Sequence, residues 1–198
     1  MKKIIFFILV LTSTFSLSAQ TKWKVDVSHS NVLFTVSHMV ISEVSGRFTD
    51  FDASLIQTGD DFSTATLSAK IKTTSINTDN DGRDKHLRSA DFFDAEKNPE
   101  ITFVSKKFEK TGKDTYKITG DFSMRGVTKT VTLDAKYKGT TKDPWGNPKA
   151  GFKATTSLNR MDFGVTWSKN LDGGGLVVGE TIDVTLQIEL VLDKPEQE

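Results

Sequence analysis

The chain of 198 residues carries 26 Lys and Arg against 26 Asp and Glu, 36% apolar residues and no cysteine. That length allows one ordinary domain, and a balanced charge without any Lys/Arg block excludes a surface built to track nucleic acid. The missing cysteine excludes thiolate catalysis, cysteine-ligated zinc, iron–sulfur clusters and disulfides together.

Chain order starts with an address. Lys2 and Lys3 precede an apolar run over residues 4–11, and small residues ending in Ser18-Ala19 follow it. A positive start, a short apolar stretch and a small-residue cleavage zone define a signal peptide over residues 1–19, cut near Ala19. The run is shorter than the ~20 residues that a membrane-spanning helix needs. The expected product is one domain over residues 20–198, periplasmic or secreted.

From Trp23 onward apolar residues fall on alternate positions, the period of a half-buried strand. Val32, Phe34 and Val36 form the first clear stripe. Phe48 and Phe51 are three apart, which breaks the alternation and predicts a bulge or bend inside one long strand. Ala65, Leu67, Ala69 and Ile71 form the next stripe, and residues 81–90 then read as the one short helix. Asp81 is its expected cap, with Asp84 and Arg88 paired at i,i+4 on its surface and Leu87 tucked inward.

Beyond the helix, Tyr116, Ile118, Gly120, Phe122 and Met124 share one parity, and Val131, Leu133, Ala135 and Tyr137 share another. Arg125-Gly126 joins these two strands so tightly that a hairpin is expected. Phe152, Ala154, Thr156 and Leu158 follow a turn over residues 143–148, and residues 182–192 give the longest stripe. About eight strands, one helix and no repeat define an all-β domain. Since open edges invite aggregation, a single eight-stranded antiparallel barrel is favoured, with a sandwich as the alternative. A barrel of that size is either filled by its own side chains or holds one small ligand, and the stripes leave both open. The 14 Phe residues, against 3 Trp and 2 Tyr, supply apolar bulk without a polar handle.

The polar motifs carry little chemistry. Asn77, Asp79, Asp81 and Gly82 imitate the start of a calcium loop, but Arg88 stands where a bidentate Glu is required. Asp84 and His86 point to different faces of a helix and have no nucleophile beside them. His29, His38 and His86 lack metal-ligand spacing, so no metal site is expected. Gly173-Gly174-Gly175 has no Gly-Lys-Ser/Thr and no following helix, which makes it a loop rather than a phosphate cradle. Arg83, His86 and Arg88 either cover one barrel mouth or meet a polar head group there. His38 either lines the interior or is a hydrogen-bonded core residue, and Arg160 is expected to stitch the rim to Asp162.

Taken in order, these blocks resemble one family. They are the strand run from Trp23-Lys24-Val25 to His38-Met39, and Val44-Ser45-Gly46-Arg47-Phe48. Asp81-x-Arg83-Asp84-x-His86-Leu87-Arg88-Ser89-x-Asp91-Phe92-Phe93-Asp94 comes next, followed by Gly120-Asp121-Phe122-Ser123-Met124-Arg125-Gly126. Arg160-x-Asp162-Phe163-Gly164 and Val178-Gly179-Glu180 close the series. The pattern is similar to that of the YceI-like polyisoprenoid-binding proteins, lipocalin-like secreted barrels. The resemblance implies an eight-stranded barrel that threads a polyisoprenoid or fatty-acid-like lipid through its core, as a carrier with no catalysis and no cofactor. The tail is then expected against Phe34, Val36, Phe48, Leu67, Phe93, Phe103, Phe122, Leu133 and Phe163. The head group is expected near His38, Arg83, His86 and Arg160. The competing expectation is a structural or stress-related interaction protein whose barrel is plugged by its own side chains, and a homodimer stays open for either.

Overall fold

Alternating apolar residues become eleven strands in the computed structural model, which describes residues 20–59 and 61–193. The expected signal peptide lies outside the described residues. The strands are β1 (Gln20–Val25), β2 (Asn31–His38), β3 (Ser42–Phe48), β4 (Phe51–Thr58), β5 (Thr66–Lys72) and β6 (Ile76–Asn77), followed by helix α1 (Asp81–Arg88). Then come β7 (Glu100–Lys110), β8 (Thr115–Met124), β9 (Val127–Lys142), β10 (Pro148–Asn159) and β11 (Val178–Leu192).

Six of these strands are halves of three longer ones. A 3₁₀ turn at Val27–His29 separates β1 from β2, Thr49 and Asp50 separate β3 from β4, and a turn at Thr73–Ser75 separates β5 from β6. The break between Phe48 and Phe51 is the one that their spacing predicts, and both rings are buried beside it. Counted as wholes, the strands number eight.

Closure depends on β11. Along one edge it pairs with β10, and along the other with β2 at Val178–Gln187 and with β1 at Leu190–Leu192. The ring therefore runs β1-β4-β5-β7-β8-β9-β10-β11 and back to β1, all antiparallel, while β2, β3 and β6 continue one side of the wall. This is the expected eight-stranded barrel, and its closure removes the sandwich alternative. The β2–β3 turn, α1 and the β8–β9 hairpin mark what we call the upper end.

Local chemistry explains the elements. Arg125 and Gly126 take φ of 51° and 74°, as a two-residue hairpin between Met124 and Val127 requires. At Gly120 an added Cβ would lie 2.4 Å from the Val104 carbonyl oxygen and 2.6 Å from the Phe103 ring. The missing side chain lets that ring lie flat on the wall, so Gly120 supplies a seat for Phe103 and not empty space. Gly120→Ala should destabilise the protein by about 2 kcal/mol, read from its urea midpoint, because backbone blocks relief on one side.

Helix α1 differs from its expected wiring. Asn80, not Asp81, is the cap: its side chain accepts from Arg83 N at 2.9 Å, the reach a cap needs. The helix stops at Arg88, where Ser89 turns extended and its hydroxyl donates to the His86 carbonyl. Asp84 does not pair with Arg88. It is buried and accepts from the Thr78 amide at 2.9 Å and the Thr78 hydroxyl at 2.5 Å. Arg88 donates instead to the Thr74 and Ile76 carbonyls. Both side chains serve the irregular backbone before the helix, whose buried polar groups have no ladder partner. Leu87 faces inward as expected.

Candidate binding cavity

The inward stripes do not meet. Between them lies an elongated cavity of about 240 Å³, reaching from Leu55, Phe108 and Phe152 at the lower end to Val36 and Val178 at the upper end. Its lining is almost wholly aliphatic and aromatic. Asp52 borders it with its side chain exposed, and Thr156 and Arg160 are the other polar residues. Below, Phe152 continues into a cluster with Phe62 at 4.8 Å and Tyr137 at 5.3 Å between ring centroids. Above, Phe92, His86 and Trp167 form a second cluster with centroids 5.0–5.2 Å apart. Ring clusters thus lie at both ends of an apolar bore.

Eight of the nine residues expected along a tail line this cavity: Phe34, Val36, Phe48, Leu67, Phe93, Phe103, Phe122 and Leu133. Phe163 does not. It is buried in the same core but outside the cavity lining, edge-on to Phe122 at 5.3 Å, because the chain leaves β10 in a 3₁₀ turn that ends the alternation there. Phe34 stacks toward Phe48 at 5.9 Å, and Phe48 meets Phe93 edge-on at 6.0 Å. Ala69 and Ala154 line the bore between such rings.

The structure does not gather the four residues expected at a head group. Arg83 is exposed and donates to the Thr78 hydroxyl at 2.7 Å and the Thr78 carbonyl at 2.8 Å. His86 Nε2 lies 2.9 Å from Asp91 Oδ2. His38 lies outside the cavity lining, and its Nδ1 sits 3.0 Å from the Val177 carbonyl, which can only accept, so the proton is on that nitrogen. Arg160 alone reaches the cavity.

Arg160 is 3% exposed and donates to three carbonyls: Gly179 at 2.7 Å, Val165 at 2.5 Å and Val178 at 3.1 Å. Burial pulls its pKa below the usual value, and Glu180 opposes that. The expected partner Asp162 pairs with Lys129 at 3.1 Å instead. Arg160 thus ties the start of β11 to the segment after β10 through backbone, at the level where the β10–β11 ladder ends.

Two further residues at this end escape the sequence pattern. Arg125 donates to the Phe92 and Ala90 carbonyls, which anchors the segment after α1 to the β8–β9 hairpin. Its turn is legible in the sequence, but the reach of its side chain is not. Ser168 Oγ is buried with no hydrogen-bond partner among the described residues, and it follows Trp167 of the upper ring cluster. A lone serine carries no signal that marks such a hydroxyl.

At the break between β1 and β2, Asp26, His29 and Glu189 bring three metal-ligand atoms within 4.8 Å of one another. The Lys149 ammonium fills that cluster, 2.6 Å from Asp26 and 3.1 Å from Glu189. Lys149 and Ser28 hold the Asp26 carboxyl well below the usual carboxylate range, and Asp26 raises Lys149 in turn. Because the folded-state pKa lies below the unfolded one, the pair stabilises fully above about pH 4 and loses that contribution as acid protonates Asp26. Lys149→Met should cost about 1 kcal/mol at neutral pH. It should also flatten the fall in stability below pH 4, as read from urea midpoints across an acid series.

A closed antiparallel barrel thus surrounds an apolar bore, with ring clusters at both ends. The YceI-like domain model matches residues 23–190, and the chain belongs to that family. A UPF0312 protein of Pseudomonas putida (strain GB-1) is 37% identical over 185 residues, covering 93% of each chain. The solved Campylobacter jejuni YCEI protein is 32% identical, with a TM-score of 0.66 over 80% of this chain and 90% of its own. A polyisoprenoid binding domain from Saccharophagus degradans, described as implicated in plant cell wall breakdown, has a TM-score of 0.63 at 14% identity. It covers 86% of this chain and 98% of its own, and at that identity the likeness is one of fold.

Proposed function

We propose that the protein binds a polyisoprenoid or a similar long amphipathic lipid inside the barrel, carries it outside the cytoplasm, and catalyses nothing. The observation that carries this reading is the continuous apolar bore, whose one buried charged group among the described residues, Arg160, donates to three carbonyls. A solvated or charged ligand would leave its polar groups unpaired there. The fold likeness to a polyisoprenoid binding domain supports the same reading, and the amino-terminal pattern of residues 1–19 supports export.

The energetics fit. A five-carbon isoprene unit gives about 3–4 kcal/mol gross on burial, so three to four units reach the ~8 kcal/mol of a micromolar complex after ordering costs. The polar end of the lipid sits at the upper end, where the Ser168 hydroxyl, His86 and Trp167 lie.

The test is solvent extraction of protein purified from its export compartment, with mass spectrometry of the extract against a mock purification. One stoichiometric prenyl species is the expected result. A clean extract from folded protein that also refuses added prenyl lipids would overturn the reading and assign the barrel to the plugged, structural class.

A further inference from the structure

The β2–β3 turn is the most apolar point on the described surface. Ile41 is 85% exposed, Val40 67% and Met39 40%, three large aliphatic side chains in succession. Met39 and Val40 also take φ of 54° and 67°, which a β-branched residue disfavours most. Asn or Gly would make the same turn with less strain and better hydration. Strain and exposed apolar surface coincide here, and neither helps the fold.

This tip hangs on the upper end of the cavity. Met39 N donates to the Val177 carbonyl at 3.0 Å, and the next residue, Val178, lines the bore together with Val36. Charges around the turn are mixed: Glu43 follows it, while Lys169 and Asp172 lie in the loop whose backbone pairs with it. Three residues are far short of the ~800 Å² per partner that a stable protein interface buries. They suit shallow insertion into the boundary between headgroups and acyl chains.

Resting on the lipid-carrier reading, we propose that the Met39-Val40-Ile41 turn inserts into a lipid bilayer. It would seat the upper end of the barrel on the membrane, so that a lipid passes between bilayer and cavity without crossing water. Mixed local charge makes the attachment apolar, so it should differ little between phosphatidylcholine vesicles and vesicles that also contain phosphatidylglycerol.

Two measurements on the purified protein test this: flotation with those vesicles, and uptake of geranylgeraniol delivered from cyclodextrin. Val40→Asp with Ile41→Asp should cut vesicle binding by roughly tenfold or more, as loss of two inserted aliphatic side chains implies, and leave uptake from cyclodextrin unchanged. Val40→Gly with Ile41→Ser, which accepts the positive φ, should do the same should the charged variant fail to fold. Trp145→Asp, at an exposed turn of the opposite end, should float like the wild type. The proposal is overturned by wild-type protein that does not float, or by tip variants that float equally well. A wild-type dimer that the same substitutions split would assign the tip to a second copy and overturn it too. Flotation without any uptake from cyclodextrin would leave the tip standing as a membrane anchor and overturn the carrier reading instead.

Discussion

Arg160→Met should lower the stability of the protein by about 3–5 kcal/mol, read from urea denaturation midpoints. Three carbonyls, that of Val165 buried and those of Val178 and Gly179 partly buried, would lose a charge-assisted donor at once. Each such bond contributes about 1.5–3 kcal/mol, and water entering the space recovers part of the loss. A methionine replaces the aliphatic stem but offers nothing to the oxygens and vacates the place of the guanidinium, so the loss is mainly one of polar pairing. Arg160→Lys should recover only a minor part, since one ammonium cannot span carbonyls that a planar fork reaches together. If Met and Lys variants both unfold at the wild-type midpoint, the carbonyls are satisfied without the guanidinium and its tethering role is wrong.

Ala154→Phe should reduce affinity for a prenyl lipid about 100-fold or more while leaving the barrel folded. Ala154 lines the bore and pairs across the wall with Ala135, so a ring placed there enters the space that a tail would use. Displacing one isoprene unit removes about 3–4 kcal/mol of burial, which converts to that factor. The lipid-free protein should unfold no earlier than the wild type, since the ring fills a void and does not invade a packed core. Retention of lipid at the wild-type level by a folded Ala154→Phe protein would place the ligand elsewhere.

Much of this architecture is legible in the residues because a strand writes its two faces as parity. The stripes through Val32–Phe34–Val36 and Ile118–Phe122–Met124 point inward as read, and the uneven step from Phe48 to Phe51 marks a real break. Parity fails where the chain leaves the strand. Phe163 follows β10 into a 3₁₀ turn, and the same alternation that puts Leu158 in the bore no longer applies five residues later. Polar partners were harder still. The spacing of Asp84 and Arg88 fits a helical ion pair, yet the irregular backbone from Thr73 to Asn80 needs both side chains more. Arg160 and Asp162 are neighbours in sequence but answer to different elements. Local spacing reports which groups can meet, and tertiary placement decides which unsatisfied carbonyl outbids them.

The three strand breaks, at Val27–His29, Thr49–Asp50 and Thr73–Ser75, lie side by side on adjacent strands. Together they score a transverse crease across one wall of the barrel. Below the crease β1, β4 and β5 are locked into the closed ring, whereas above it β6 contributes only two register pairs with β3. A sheet creased in this way is expected to divide into two cooperative units, an upper part held to the ring through the β2–β11 ladder and the hydrogen-bonded hoop below it. Amides of β3 and β6 should therefore exchange with solvent well before those of β4 and β5, in two separate classes and not one gradient. Two such classes would make widening of the mouth and unfolding of the barrel different events, the first needing only a fraction of the free energy of the second.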